Sequence, residues 1–430
     1  MKYDLVVVGA GILGSSISYF ATENGLKVAL VERENEPGLH STFRNTGVIH
    51  RPFYLNPLKR KASALAASRS YEFFKKFAEE RSLFWNPVGT LEVALDEKGE
   101  EAVESYKAWA VENGMEESEF EVLDRNEIKK IEPNVKAPKG FWSKTDAVVN
   151  FKQFSDAFVL HSKSKGADLY LGCSAKRIEA EGKVYCISGE KEIELEGKAV
   201  VSAAGAESFR FAQLNGLEGY AQLHFRGDYW RLSEEKGSLF RRNIYTVPRF
   251  TNFPFLDPHI VKRHTGGTEV GPNAFLVPGP YDYEGFISKI VKNLKGTGEG
   301  PLGLKLRLVL NGELIKLIVS DWSVSLFKSS LIRRLSKFVE GIKSSDVIGR
   351  GISGIRHNLI SKEGFVQEPL FYIKDRVLFV LNYNSPGATG SPWYASVILA
   401  VLSKKFGLKA EEKLLLKDSS EANLIKTIEK

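Results

Sequence analysis

Cysteine is almost missing from this chain: Cys173 and Cys186 are the two that 430 positions carry. They show no metal-ligand spacing and no pairing pattern, which excludes a disulfide framework and fits a reducing compartment. Long apolar runs are missing as well. No stretch approaches the ~20 residues that a membrane span needs. The apolar residues 3–8 are too few for a secretory signal and run directly into a glycine turn, so the expected location is the cytoplasm. There is no low-complexity tract and no internal repeat of roughly 20–50 residues. What is present is ordinary for a globular chain, with 43% hydrophobic residues, enough for a sizeable core. The length exceeds the ~100–200 residues of a usual domain, so two domains are expected.

Lys and Arg number 60 against 53 Asp and Glu. Residues 286–345 hold eleven Lys or Arg and four Asp or Glu, an excess equal to the net charge of +7 for the whole chain. Within that segment Leu331, Leu335, Phe338, Val339 and Ile342 recur at helical spacing, with Arg333, Arg334 and Lys337 between them. Two readings stand: a basic helix packed by its apolar stripe, or a face that meets an anionic membrane surface from the cytoplasmic side. Nucleic acid is not expected as a partner, because no recognised module and no basic stripe with interleaved aromatics is present.

The first thirty-odd residues carry the strongest signal. Asp4-Leu5-Val6-Val7-Val8 reads as a buried strand, followed at once by Gly9-Ala10-Gly11-Ile12-Leu13-Gly14. Residues 15–24 read as a helix ended by Gly25, and residues 27–31 as a second strand closing on Glu32 and Arg33. Gly9 permits the tight turn, Gly11 lets the backbone approach a pyrophosphate, and Gly14 lets helix and strand pack closely. The helix N-terminus offers free N–H groups and partial positive charge to phosphate. Glu32 suits the two hydroxyls of an adenosine ribose and would repel a 2′-phosphate, which argues against NADP. Strand, helix, second strand and acid in register make a dinucleotide site.

Further along, residues 35–46 read as a polar loop, with helices over 58–76, 98–114, 154–166 and 394–406. Strands are expected at 88–94, 169–171, 184–187, 192–195, 198–201, 221–232 and 377–381, and a glycine-containing loop at 384–390. Dinucleotide-domain elements open and close the chain, so the domains are discontinuous.

Several segments resemble one family. Ser41-Thr42-Phe43-Arg44-Asn45-Thr46-Gly47-Val48-Ile49-His50 is similar to its T-x-H-N-S-G-V-I-H, and Phe225-Arg226-Gly227-Asp228-Tyr229 to its F-R-G-D-Y. Asn243 to Pro248, Pro254 to His259, Arg263, Gly271-Pro272-Asn273-Ala274, Gly354-Ile355-Arg356 and Asn382 to Thr389 follow in family order over about 400 residues. The chain thus resembles the FAD-dependent D-amino acid oxidase superfamily, and within it the L-2-hydroxyglutarate dehydrogenase/oxidase family. Arg44 stands where that family has His, Thr46 where it has Ser, and Arg51-Pro52-Phe53-Tyr54 departs from its pattern, so the substrate need not be the family's own.

The resemblance implies an α/β fold: a Rossmann-like FAD-binding domain with an inserted, mainly antiparallel β-sheet substrate domain. The expected division assigns 1–85, 141–220 and 346–430 to the first, and 86–140 and 221–345 to the second. It implies FAD contacts from Gly9, Gly11, Ile12, Leu13, Gly14, Glu32, Arg33, Thr42, Arg44, Asn45, Thr46, Gly47, His50, Ala175, Ala204, Gly205, Gly354, Pro386, Gly387, Ala388 and Thr389. A helix N-terminus near 385–390 would stabilise negative charge on reduced flavin. No metal is expected.

Oxidising a 2-hydroxy acid moves hydride to flavin N5 and the hydroxyl proton to a base. Histidine is the natural base, and His259 is the candidate, with His50 beside the flavin. Arg356 and Arg263 are the carboxylate clamps. Arg226 would bind substrate or pair with Asp228, and Tyr245 and Asn273 would supply neutral hydrogen bonds. The expected activity is oxidation of a small anionic 2-hydroxy carboxylate, L-2-hydroxyglutarate to 2-oxoglutarate, with electrons passed to quinone, a carrier protein or oxygen. Alternatives are a sn-glycerol-3-phosphate dehydrogenase or an amine or amino acid oxidase of the same superfamily, and a non-catalytic flavoprotein electron-transfer subunit. An NAD-dependent dehydrogenase is disfavoured by the later cofactor-facing loops.

Overall fold

The strand Lys2–Val8 is the centre of the cofactor-binding half. Leu5 and Val7 face one core and Tyr3, Val6 and Val8 another, which is why the segment reads as an unbroken apolar run rather than an alternating one. It pairs in parallel with Val28–Val31 on one side and with Lys191–Ser202 on the other. Asp168–Tyr170 and Val377–Leu381 extend the parallel core outward. Leu370–Lys374 then pairs antiparallel with Val377–Leu381 and parallel with Lys426–Glu429. One face is covered by the helices Ile12–Glu23, Phe151–Ser164, Lys61–Arg81 and Gly387–Phe406, the other by the hairpin Cys173–Glu179/Lys183–Ser188 and the helix Glu207–Leu214. Cys173 and Cys186 are buried free thiols in that hairpin.

This computed structural model describes residues 2–248, 257–285, 300–309, 312, 316, 321–324, 326–410 and 412–429. Much of the basic segment, 286–299 above all, lies outside the described residues, as do residues 254–256 of the Pro254-to-His259 match.

A second sheet of eight strands runs in the order Val347–Arg350, Trp230–Leu232, Thr268–Gly271, His259–Lys262, Asn243–Thr246, Thr90–Val93, Lys139–Ser143, Phe120–Asp124. Every neighbouring pair in it is antiparallel except Asn243–Thr246 with Thr90–Val93. A four-stranded antiparallel sheet is built on Ala221–Gly227 and Gly354–Ser361. Lys139–Ser143 and Val347–Arg350 thus pair within the second sheet.

Four local expectations are corrected. Residues 192–201 form one strand, not two: Lys191–Ser202 pairs antiparallel through its first half and parallel through its second. Residues 221–232 split into Ala221–Gly227 and Trp230–Leu232, which sit in different sheets. The last long helix starts at Gly387 rather than after a loop to 390. Its glycines serve packing: a Cβ on Gly390 would lie 2.9 Å from that of Ala66. The basic helix is short, Lys328–Leu335. Its stripe of Leu331 and Leu335, with Phe338 and Val339 beyond, is buried in the core of the second sheet, and Arg334 pairs with Asp321 at 2.6 Å. The stripe is thus packed and does not face outward. Among the described residues no helix is long and apolar enough to cross a membrane.

Candidate active site

A cavity of about 510 Å³ runs from the first glycine turn to the junction of the sheets. Its near end is built by the βαβ unit. Gly9 has φ +102°, and a Cβ there would meet the Ala203 carbonyl oxygen at 2.5 Å, so only glycine fits. A Cβ on Gly14 would strike the Gly9 oxygen at 1.8 Å. Gly14 does not line the cavity; it lets the helix close onto the strand. Gly11, Ile12 and Leu13 place a helix N-terminus at the cavity wall. Thr42 Oγ1 accepts from the Ile12 N–H at 2.9 Å and docks the 35–46 loop onto that turn. The Glu32 carboxylate accepts from the N–H groups of Ala10 and Glu34 at 2.7 and 3.0 Å, which holds it on the wall where a ribose would lie.

Arg33, Arg44, Asn45, Thr46, Ala175, Ala204, Gly205 and Gly354 also line the cavity, as do Pro386, Ala388 and Thr389 at its far end. Because the last helix begins at Gly387, its N-terminus itself reaches the far end, closer than a helix starting after 390 would bring it. Gly387 packs under Tyr383, and Gly47, at φ +72°, closes a turn against the Val149 oxygen. Neither lines the cavity; both shape its wall.

His50 lies at the far end, its backbone N–H donating to Thr389 Oγ1 at 3.3 Å. Its Nδ1 stands 3.0 Å from Asp146 Oδ2. Asp146 is fully buried, and its other oxygen accepts from the Arg51 N–H and the Ser143 hydroxyl. A carboxylate so placed fixes a proton on Nδ1 and leaves Nε2 as an acceptor. Sequence reasoning missed Asp146; its only signal is an acid at the entrance of the apolar strand Ala147–Val149.

His259 sits elsewhere than expected. It is fully buried and not on the cavity wall. Its Nδ1 faces the Asp257 carbonyl at 3.0 Å and so must donate, and its Nε2 accepts from the Tyr229 hydroxyl at 3.1 Å. Burial holds its pKa well below the usual value, with the cationic Arg356 among the lesser causes. His259 is a neutral support behind Tyr229, which does line the cavity. The Tyr245 ring stacks on His259 at 4.0 Å and stands edge-on to His50 at 5.6 Å. Its buried hydroxyl has no partner among the described residues, and Tyr245, expected to bond the substrate, does not line the cavity: its ring is packed behind His50 and His259.

The arginines separate clearly. Arg356 lines the cavity, and burial lowers its pKa from the ordinary guanidinium value. Arg263 does not line it. Its guanidinium is spent on Glu269 and on the Asn45 carbonyl at 2.7 Å, tying the second sheet to the 42–47 loop. Arg226 makes two bonds to Asp228, at 2.8 and 3.2 Å, so the structural pairing holds. Asn273 reaches the wall, but its amide oxygen accepts from the Asp228 N–H and its nitrogen donates to the Asp321 carbonyl. Arg51 is buried against Glu119 at 2.6 Å and over the Tyr71 ring, so this departure from the family pattern faces away from the site. Arg44 and Thr46 are the departures that stay on the wall.

The glycine cradle, the fixed acid and a second helix terminus at the opposite end fit a flavin dinucleotide, and together they define a flavin-dependent oxidoreductase. Residues 4–400 match the FAD dependent oxidoreductase family, and the chain belongs to it; FAD is its cofactor. It is similar to the mitochondrial L-2-hydroxyglutarate dehydrogenase of Caenorhabditis briggsae, at 30% identity over 429 residues, covering 95% of this chain and 94% of that one. The L-2-hydroxyglutarate dehydrogenase of Escherichia coli K12 is 27% identical over 400 residues, 90% of each chain. Among solved structures, the FAD-bound L-alpha-glycerophosphate oxidase of Mycoplasma pneumoniae superposes with a TM-score of 0.72 at 16% identity, covering 100% of this chain and 99% of that one. Glycine oxidase from Geobacillus kaustophilus gives 0.66 at 16% identity, covering 94% and 95%.

Proposed function

We propose that this enzyme oxidises L-2-hydroxyglutarate to 2-oxoglutarate. The observation that carries the chemistry is His50 on the wall at the far end of the cavity, with the buried Asp146 at its Nδ1. Similarity to L-2-hydroxyglutarate dehydrogenases over nine-tenths or more of the chain supports the substrate.

FAD held by this cradle would supply the hydride acceptor for the substrate carbon. His50 Nε2 takes the hydroxyl proton, and Asp146 steadies the imidazolium that results. Arg356 holds a substrate carboxylate by paired hydrogen bonds and sets the carbon in place. Tyr229 gives its own proton to His259, so its oxygen presents only acceptor capacity. That favours the substrate hydroxyl over a carboxylate at this spot. The FAD contacts named above belong to the same reading, as does the discontinuous two-domain division.

The test is anaerobic addition of L-2-hydroxyglutarate to the purified, FAD-loaded protein. Bleaching of the flavin spectrum is expected. A spectrum that persists with this substrate but bleaches with sn-glycerol 3-phosphate or an amino acid would reassign the substrate. No bleaching with any of them, until a partner protein is added, would make this a subunit that only passes electrons.

For the electron acceptor we propose a membrane quinone. Leu326, Phe327 and Ile348 are exposed, the exposed cations Arg333 and Lys337 follow Phe327 in the chain, and Lys328 Nζ reaches the Val347 carbonyl at 2.6 Å, which holds the two segments together. Binding to anionic liposomes at low salt is the expected result, and no binding there would leave a carrier protein or oxygen as acceptor.

A further inference from the structure

After the strand Phe275–Val277, the chain sends Tyr281, Asp282 and Tyr283 back across the cofactor-binding half. Tyr281 lines the same cavity as Gly9 and Glu32. The Arg33 guanidinium lies over the Tyr281 ring at 3.7 Å, and the Tyr281 hydroxyl donates to Glu207 Oε1 at 3.4 Å. These two partners stand on opposite banks of the groove. Arg33 follows the strand Val28–Val31, and Glu207 opens the helix after Lys191–Ser202; those strands flank Lys2–Val8 on either side. A ring that touches both must pass over the end of Lys2–Val8, where the glycine turn sits.

Tyr283 adds a second fastening on one bank. Arg44 lies over its ring at 3.9 Å, and its hydroxyl is 3.0 Å from His40 Nδ1. From below, Arg226 Nη1 donates to the carbonyls of Asp282 and Gly285, at 3.3 and 3.0 Å. The Arg226–Asp228 pair thereby anchors residues that the substrate does not reach.

We propose that residues 281–283 form a clasp that retains the bound dinucleotide, with Tyr281 closing the groove over the pyrophosphate-binding turn. The inference rests on FAD as the cofactor and concerns its residence time rather than the reaction. FAD leaves only when the strap lifts, and lifting breaks both ring–guanidinium contacts and the Glu207 bond.

The experiment measures the rate of FAD release from the holoenzyme as the rise of flavin fluorescence after dilution. Tyr281→Ala and Tyr283→Ala are each expected to release FAD about tenfold faster, the size of one partly buried cation–π contact. Tyr281→Phe keeps the stack on Arg33 and is expected to stay within about threefold of the unaltered protein. Glu207→Ala, on the first turn of a surface helix, frees one bank without entering the core and should accelerate release by about threefold. It reads the same clasp if a tyrosine variant folds poorly. Release at the unaltered rate from Glu207→Ala and from a folded Tyr281→Ala/Tyr283→Ala double variant would overturn the clasp. An unaltered protein that takes up no flavin at all would instead overturn the cofactor.

Discussion

Replacing Asp146 by Asn isolates the proposed base from everything around it. In the native protein Oδ1 accepts from the Arg51 N–H at 3.1 Å and from the Ser143 hydroxyl, while Oδ2 faces His50 Nδ1 at 3.0 Å. The carboxamide oxygen keeps the first two donors. The new NH₂ then meets Nδ1 as a donor, so the imidazole must carry its proton on Nε2, the atom that should accept one. Loss of a correctly protonated general base costs roughly 10²- to 10⁴-fold, or about 2.7–5.5 kcal/mol of barrier. The assay is stopped-flow bleaching of the flavin by saturating L-2-hydroxyglutarate without oxygen, which reads the chemical step alone. The half-saturating substrate concentration and the flavin spectrum of the oxidised enzyme should not move. His50→Asn should slow bleaching by a similar factor, and combining the two should add little, because they act as one unit. Bleaching within about threefold of the native rate in Asp146→Asn would refute the assignment of His50 as base.

Other substitutions separate binding, support and stability. Arg356→Gln should raise the half-saturating substrate concentration about 10- to 100-fold, the worth of a charged hydrogen-bonded pair, and unchanged saturation in the same titration would remove Arg356 from the carboxylate site. His259→Phe deprives the Tyr229 hydroxyl of its acceptor; about 1–3 kcal/mol of stability and less than tenfold in bleaching rate should be lost, and a loss as large as that of His50→Asn would restore His259 as the base. Glu92 is buried beside Tyr106, and burial pushes its carboxyl up from 4.5 to about 8. The folded state therefore holds a proton that the unfolded chain releases, so this stabilisation is complete below about pH 4.5 and fades as pH rises through about 8. Glu92→Gln should flatten the decline of the urea midpoint between pH 5 and 8, at up to roughly 1.4 kcal/mol per pH unit; parallel curves for the two proteins would contradict a neutral Glu92.

The nucleotide end of the site was legible because its information is local. Gly9, Gly11, Gly14 and Glu32 sit within one βαβ unit, where spacing and steric demand decide the geometry. Helix and strand positions followed from periodicity for the same reason. The far end was less legible because it is assembled from four distant segments: His50, Asp146, Tyr229 and Arg356. Histidine type and family pattern point to both His50 and His259, and the sequence reading takes His259 as the base, with no partner visible to either. What ranks them is a partner's chemistry: a carboxylate at Nδ1 of His50, a carbonyl at Nδ1 of His259. The first can support an imidazolium as it takes a proton, and the second fixes a neutral ring.

Arginine shows the same limit. Arg226, Arg263 and Arg356 look alike in sequence, each beside a glycine- or histidine-bearing segment. Asp228 and Glu269 claim the first two, and the acid two residues on in Arg226-Gly227-Asp228 was the one warning available. A buried guanidinium already paired with a carboxylate offers no free fork to a second one, however close it lies. On the proposed reading, the substrate carboxylate is met by the arginine on the strand Gly354–Ser361 that faces the cavity, while Arg263 ties the second sheet to the 42–47 loop and Arg226 holds residues 282 and 285. The departures from the family pattern divide by the same test. Arg51 is consumed by Glu119 and Tyr71, away from the reaction, so its presence does not argue for a different substrate. Arg44 remains on the wall over Tyr283, and its effect is expected on flavin retention before it is seen in substrate choice.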